Sequence, residues 1–326
     1  MTTRPIAEQI VVVMGASSGI GRAAALRLAA RGATVVAAAR GEDGLRSLVE
    51  EIRVKGGTAD WVRADVTVAD QVTAVAEHAV TRHGRLDTWV HVAGVLMVAP
   101  FSDTDPAEFA RVLQVNLLGQ VHGARAAVNH LAADGGGAFI SISSMGARRS
   151  IPLQTAYCAS KHGLNGFLEA WRTELEHDGV PVSVTEIQPA TINTPLFDNA
   201  RTTIGVKPTA PPPAYPPSAV ADAVLYAAEH PIPRIVVGGA ARALISTQAV
   251  APRLLDVLLR RFGYQLHDTG EPKPRTAPDN LDAPLPGNDT VEGSIGRFAV
   301  HRSLYTWVSL RRPRWANYSR AIVELV

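Results

Sequence analysis

Tyr157 and Lys161 stand four residues apart, and Ser144 precedes the tyrosine by thirteen. On a helix a pair at that spacing shares a face, so a phenol, an ammonium and a hydroxyl can converge on one carbonyl oxygen. A neighbouring ammonium favours phenolate and is expected to lower the phenol pKa from its free value of about 10. The chemistry such a set offers is proton exchange on an alcohol or a carbonyl. Ser144 ends a predicted strand, the place where open α/β sheets put their ligands, and can donate a hydrogen bond to the same oxygen.

A second motif supplies a partner for that chemistry. Met14-Gly-Ala-Ser-Ser-Gly-Ile-Gly21 joins a predicted strand to a predicted helix. Glycine permits a tight turn and close backbone approach, and the helix start offers free N–H groups and the positive end of its dipole to a pyrophosphate. At the end of the second predicted strand, Ala39 stands where an acidic side chain would bind ribose hydroxyls, and Arg40 follows. A guanidinium suits a phosphate dianion, which predicts NADP in preference to NAD.

The GxxxGxG spacing, Tyr157-Cys-Ala-Ser-Lys161 and the upstream serine together resemble the short-chain dehydrogenase/reductase family over about residues 8–240. The resemblance implies a Rossmann-type fold, NAD or NADP as cofactor, and alcohol oxidation or ketone reduction. It places Gly15, Gly19 and Gly21, with Ser17, Ser18 and Ile20 between them, on the phosphate loop. Asp65 and Val66 fall where the family contacts adenine, and Ala93 and Gly94 in the run after the fourth strand. Asn116 falls on the asparagine of a proton relay, Ser144, Tyr157 and Lys161 on the catalytic triplet, and Pro189 and Thr194 beside the nicotinamide. Lys161 gains a second role on the nicotinamide ribose. Met14, His91 and Ala190 depart from the family pattern. Members commonly form dimers or tetramers, so a homo-oligomer is expected. Asp65 also has a plainer reading, because Asp65-Val-Thr67 is good helix-capping chemistry.

The elements that must hold these residues are legible as alternation. Short β-branched runs at 10–14, 34–38, 59–64, 88–92, 138–142, 181–187 and 234–237 alternate with longer Ala- and Leu-rich segments. That pattern predicts a doubly wound parallel sheet of about seven strands with helices on both faces. Asp105 as N-cap, Pro106 and Glu108 start a helix that is expected to run through Asn116 towards His130. Another is expected over 155–177. Residues 1–240 are read as the dinucleotide-binding and catalytic domain, and 241–326 as a C-terminal extension. Within the extension, 242–262 reads as a helix interrupted near Pro252, and 268–294 as a linker rich in Pro, Gly, Asp and Asn. A tail of mixed arginines and aromatics, among them Arg297, Trp307, Arg312 and Trp315, follows.

Composition limits the alternatives. The 326 residues are 46% hydrophobic, enough for a sizeable core, and the net charge of +2 gives no basic field for nucleic acid. Cys158 is the only cysteine, which rules out an internal disulfide and fits a cytoplasmic protein. No apolar run reaches the length of a membrane span, although the tail offers a peripheral contact with an anionic bilayer. No His, Cys or carboxylate cluster has metal-ligand spacing, and no metal is expected. Val95, Leu96, Met97, Met145, Ile151, Leu153, Leu196 and Phe197 are expected to wall a cavity for a hydrophobic alcohol or carbonyl compound. Residues 191–217 read as a lid over it, and Arg148 and Arg149 as either solvated charges or an anion contact. Two other functions stay open: a non-catalytic NADP-binding sensor or scaffold, and C=C reduction.

Overall fold

A computed structural model describes residues 3–287, 289–295, 300 and 302–311. Among these, seven parallel strands form one sheet. They are β1 Ile10–Met14, β2 Thr34–Ala39, β3 Thr58–Arg63, β4 Thr88–His91, β5 Gly137–Ile142, β6 Val182–Pro189 and β7 Arg234–Val237. Their spatial order is 7-6-5-4-1-2-3, so the direction of winding reverses between β1 and β4. At such a switch point the loops leaving two adjacent strands diverge and open a crevice at the carboxyl edge.

Every residue of β1 and β5 is buried, as it must be in strands covered on both faces. On one face pack α1 Gly19–Ala30, α2 Glu42–Val54 and, later in the chain, α7 Pro217–Glu229, through Leu28, Leu45, Leu48, Val220 and Val224. On the other pack α3 Ala69–His83, α4 Pro106–Leu113, α5 Gly119–Ala132 and α6 Thr155–His177, through Val72, Val75, Val112, Leu131, Leu164 and Leu168. Asp105 caps α4 by accepting from Ala107 N–H at 2.7 Å, and Pro106 follows at the first helical position. The helix expected to continue unbroken past Asn116 instead passes through a π-helical turn, Gln114–Leu118, before α5 begins. The wider turn leaves Asn116 wholly buried.

The extension begins with α8 Gly239–Val250 and α9 Pro252–Phe262, broken at Ala251 and Pro252 as the proline predicts. The segment expected as a free linker is laid against the sheet domain. Asp268–Pro272 pairs antiparallel with Val206–Pro208, and Leu281 is fully buried in the cluster that holds Ala64, Val66 and Val115. Then α10 Leu304–Arg311 packs over the β7–α8 junction, where Thr306 Oγ1 accepts from Gly238 N–H at 2.9 Å. Of the tail, Arg297, Phe298, Arg312, Arg314, Trp315 and Arg320 lie outside the described residues. No described helix is long and apolar enough to cross a membrane.

His91 ends β4 with its ring fully buried. Its Nδ1 faces the Trp89 indole N–H at 3.3 Å, and its Nε2 meets no protein partner. Burial, with Lys161 and His122 adding repulsion, pushes its pKa down to about 3. Below pH 6.5 the unfolded chain therefore binds a proton that the folded chain refuses, and stability falls as the solution is acidified. Urea midpoints measured from pH 8 to pH 5 should show the wild type losing roughly 2 kcal/mol more than His91→Asn. Parallel acid limbs for the two proteins would refute the buried, neutral ring.

Candidate active site

The glycine loop is built by close packing. Gly15 has φ +93°, and a Cβ there would stand 2.5 Å from the Ala93 nitrogen. A Cβ on Gly21 would overlap the Gly15 carbonyl oxygen, so only glycine lets α1 start directly against the loop. Ser18 precedes α1 without capping it through its side chain, and the first turn carries no acidic residue. The helix start thus keeps the electrostatics of an anion site.

Beyond the loop, a cavity of about 570 Å³ runs along the carboxyl edge of the sheet. It is lined by Gly15, Ser17, Ser18, Gly19, Ile20, Arg40, Val66, Ala93, Gly94, Ser144, Tyr157, Lys161, Pro189 and Thr194. Gly21, Asp65 and Asn116 are not on its wall. Asp65 Oδ1 accepts from Thr67 N–H at 2.9 Å and from the Thr67 hydroxyl at 2.8 Å, while Arg111 reaches Oδ2 at 3.3 Å. Burial works against that carboxylate, yet the Thr67 bonds and the Arg111 and Arg40 charges hold its pKa below the usual range. Asn116 clamps the backbone of Val95, accepting from its N–H at 2.8 Å and donating to its carbonyl at 2.9 Å. Its amide also donates to Ser160 Oγ at 3.2 Å.

The triplet converges at the other end of the cavity. Ser144 follows β5 and accepts from Gly146 N–H at 2.9 Å, which fixes its hydroxyl at the start of a short 3₁₀ turn. Tyr157, in the first turn of α6, keeps part of its surface on the cavity wall that Ser144 also lines. Lys161 is buried one turn later, with Nζ 5.6 Å from the Tyr157 ring centre and donating to the Ile142 carbonyl at 3.0 Å. The expectation that the ammonium lowers the phenol pKa is not met in this state. Burial pushes Tyr157 up to about 12, against the pull of Ser144, and pulls Lys161 down to about 8, against the pull of Glu186. Desolvation disfavours both charges, and here it outweighs what Ser144 and Glu186 return.

Of the expected apolar wall, Val95, Leu96, Met145, Ile151, Leu196 and Phe197 face the cavity. Met97 and Leu153 are buried behind it. Arg148 and Arg149 are engaged elsewhere, with Glu169 at 3.2 Å and Asp256 at 2.7 Å. Asn199 and Pro211 reach the wall from the 191–217 segment, whereas sequence reasoning missed Gln154 and missed the extension altogether: Asn280, Pro284, Leu285, Pro286 and Asp289 line the cavity too. Among the described residues no group of three or more His, Cys, Asp or Glu is arranged to hold a metal.

Residues 9–205 match the family model of the short chain dehydrogenases. The chain belongs to that family. This short-chain dehydrogenase is 38% identical over 311 residues to the uncharacterized oxidoreductase YxnA of Bacillus subtilis, across 94% of this chain and 87% of that protein. An alignment of that length takes in most of the extension. Among solved structures it resembles a metagenomic short-chain oxidoreductase in complex with NADP, 31% identical with TM-score 0.59, over 70% of this chain and 96% of that one. A short-chain dehydrogenase/reductase from Burkholderia phymatum, in complex with NAD, shares the fold at TM-score 0.69 and 24% identity, over 77% and 96% of the two chains. The protein is an oxidoreductase of the nicotinamide-dependent kind, and the helix start, glycine loop and adjoining cavity suit a dinucleotide.

Gly21→Ala should therefore lower the melting temperature by several degrees and weaken NADPH binding at least about tenfold, because loop and helix must separate. Gly166→Ala on α6, where a Cβ meets nothing, serves as the control and should leave NADPH binding unchanged without lowering the melting temperature. Calorimetry and NADPH fluorescence titration read the two effects, and an unaltered Gly21→Ala would overturn the packing argument.

Proposed function

We propose that the protein interconverts an alcohol and a ketone or aldehyde on a hydrophobic substrate, with NADP preferred over NAD and Tyr157 as general acid/base. The observation that carries this reading is the meeting of Ser144, Tyr157 and Lys161 in one cavity whose far end is the glycine loop. The apolar side chains of Leu96, Ile151, Leu196 and Phe197 favour a hydrophobic substrate over a sugar.

A bound nicotinamide supplies the hydride in reduction and accepts it in oxidation. The chain's own residues handle the proton. Ser144 donates a hydrogen bond to the substrate oxygen and orients it, and Tyr157 gives that oxygen its proton as negative charge develops there. A phenol raised by burial holds its proton at neutral pH, which is the form that reduction needs. The phenolate left behind is stabilised by Lys161, whose charge is present below about pH 8. Asn116 acts one layer back, by holding the Val95 backbone at the cavity wall beside Gly94. Arg40, at the end of β2, is the group suited to a 2′-phosphate.

A non-catalytic dinucleotide sensor is the second reading, favoured by one observation: Arg40 is held by carbonyls of the extension. Turnover separates the two. NADPH oxidation should be measured with a panel of hydrophobic ketones and aldehydes, for wild type, Tyr157→Phe and Arg40→Asp. The enzyme reading expects turnover that Tyr157→Phe lowers by 10²-fold or more, and a kcat/KM ratio for NADPH over NADH that Arg40→Asp reverses. Activity surviving Tyr157→Phe within about tenfold would remove Tyr157 from the acid role, and a wild type that prefers NADH would remove Arg40 from cofactor choice.

A further inference from the structure

The family model ends at residue 205, yet the cavity does not end with the residues it covers. Residues 279–287 and 289–295 cross the mouth of the cleft from the lid side to the glycine loop. At the lid end, Arg201 holds Asp279 at 2.8 Å and Asp282 at 2.7 Å, and Asn280 N–H donates to the Asn199 carbonyl at 3.0 Å. Over the end of β2, Arg40 donates to the carbonyls of Asn280 at 2.7 Å and Asp282 at 3.1 Å. Arg111 adds a bond to the Leu281 carbonyl at 3.2 Å, and the Leu281 side chain is fully buried beneath. At the phosphate loop, Gly19 N–H donates to the Thr290 carbonyl at 2.9 Å. Further on, Ile295 N–H reaches Asn193 Oδ1 at 3.1 Å.

Two of these fastenings use groups that a dinucleotide would use. Arg40 spends its two terminal nitrogens on backbone carbonyls, and Gly19 spends its N–H on another. Asp289 lines the cavity beside the loop, which sets a carboxylate where a pyrophosphate would bring like charge. We propose that this segment is a strap that unlatches from Arg40 and Gly19 to admit the dinucleotide and forms the outer wall of its site. The inference rests on the dinucleotide reading above. It makes the extension part of the coenzyme site, and it gives Arg40 two partners in turn, the strap carbonyls and a 2′-phosphate. A phosphate dianion replaces neutral acceptors by a charge-assisted pair, so a phosphorylated coenzyme compensates for the lost latch better than NAD does.

The strap can be pinned. A Cβ on Gly41 would lie 3.4 Å from Pro284 Cβ, close to disulfide separation, and Gly41 has φ −85°, which cysteine adopts freely. Native Cys158 is buried and remote from reagent. In stopped-flow fluorescence with NADPH, oxidised Gly41→Cys/Pro284→Cys should associate at least about tenfold more slowly than the same protein after reduction. Equal rates for the two forms, with the cross-link verified by mass, would overturn the strap. Leu281→Ala supplies the opposite perturbation and does not depend on cross-linking: association and dissociation should both quicken by a few fold, and unchanged rates would likewise overturn it. A wild type that binds neither NADPH nor NADH at millimolar concentration would instead defeat the dinucleotide reading, so the two failures are distinguishable.

Discussion

The proposed chemistry depends on the burial of one lysine and the placement of one tyrosine beside it on the cavity wall. Lys161 is drawn under β5 by the Ile142 carbonyl, and Tyr157, one helical turn earlier, faces the cavity that Ser144 also lines. In water both groups would be ordinary surface charges or hydrogen-bonding groups. Desolvation pushes both toward neutrality, and in the proposed reaction the phenol keeps its proton until a receiving oxygen develops charge. Everything else in the sheet domain serves that placement. Parallel strands buried on both faces bring Ser144 to the carboxyl edge, and the reversal between β1 and β4 opens the crevice where the glycine loop and the triplet face one another.

The C-terminal extension changes how that crevice is reached. An open crevice would need only a helix start and a basic residue to take up a dinucleotide. Here Arg40, Arg111, Arg201 and the Gly19 N–H are all turned to backbone or carboxylate groups of the extension. Arg40, which lines the cavity, also helps to hold its cover down. Binding and opening then draw on the same charges, so coenzyme affinity and access to the site are not independent properties.

Much of this was legible in the sequence wherever burial is uniform. The strand Ile10–Met14 coincides with its β-branched run, because in a doubly covered strand hydropathy marks both ends. The glycine positions were legible because backbone overlap tolerates no other residue. Three features were not. The sign of the Tyr157 shift follows from desolvation, a tertiary property that an i, i+4 pairing cannot report. The π-helical turn at Asn116 carries no local signal in a stretch that reads as plain helix. Residues 279–287 and 289–295 lack apolar periodicity because they are held through their carbonyls, a few acidic side chains and one buried leucine, so their composition reads as linker.

The ionisation of Lys161 itself tests the buried couple most directly. With lysines labelled at 13Cε and the Lys161 signal assigned by its loss in Lys161→Met, an NMR titration of the intact protein gives the midpoint without reference to substrate. The structure predicts a midpoint near 8, held down by burial. A midpoint at the ordinary value of about 10.4 would show a solvated ammonium, and the account of how this site controls its proton would be wrong.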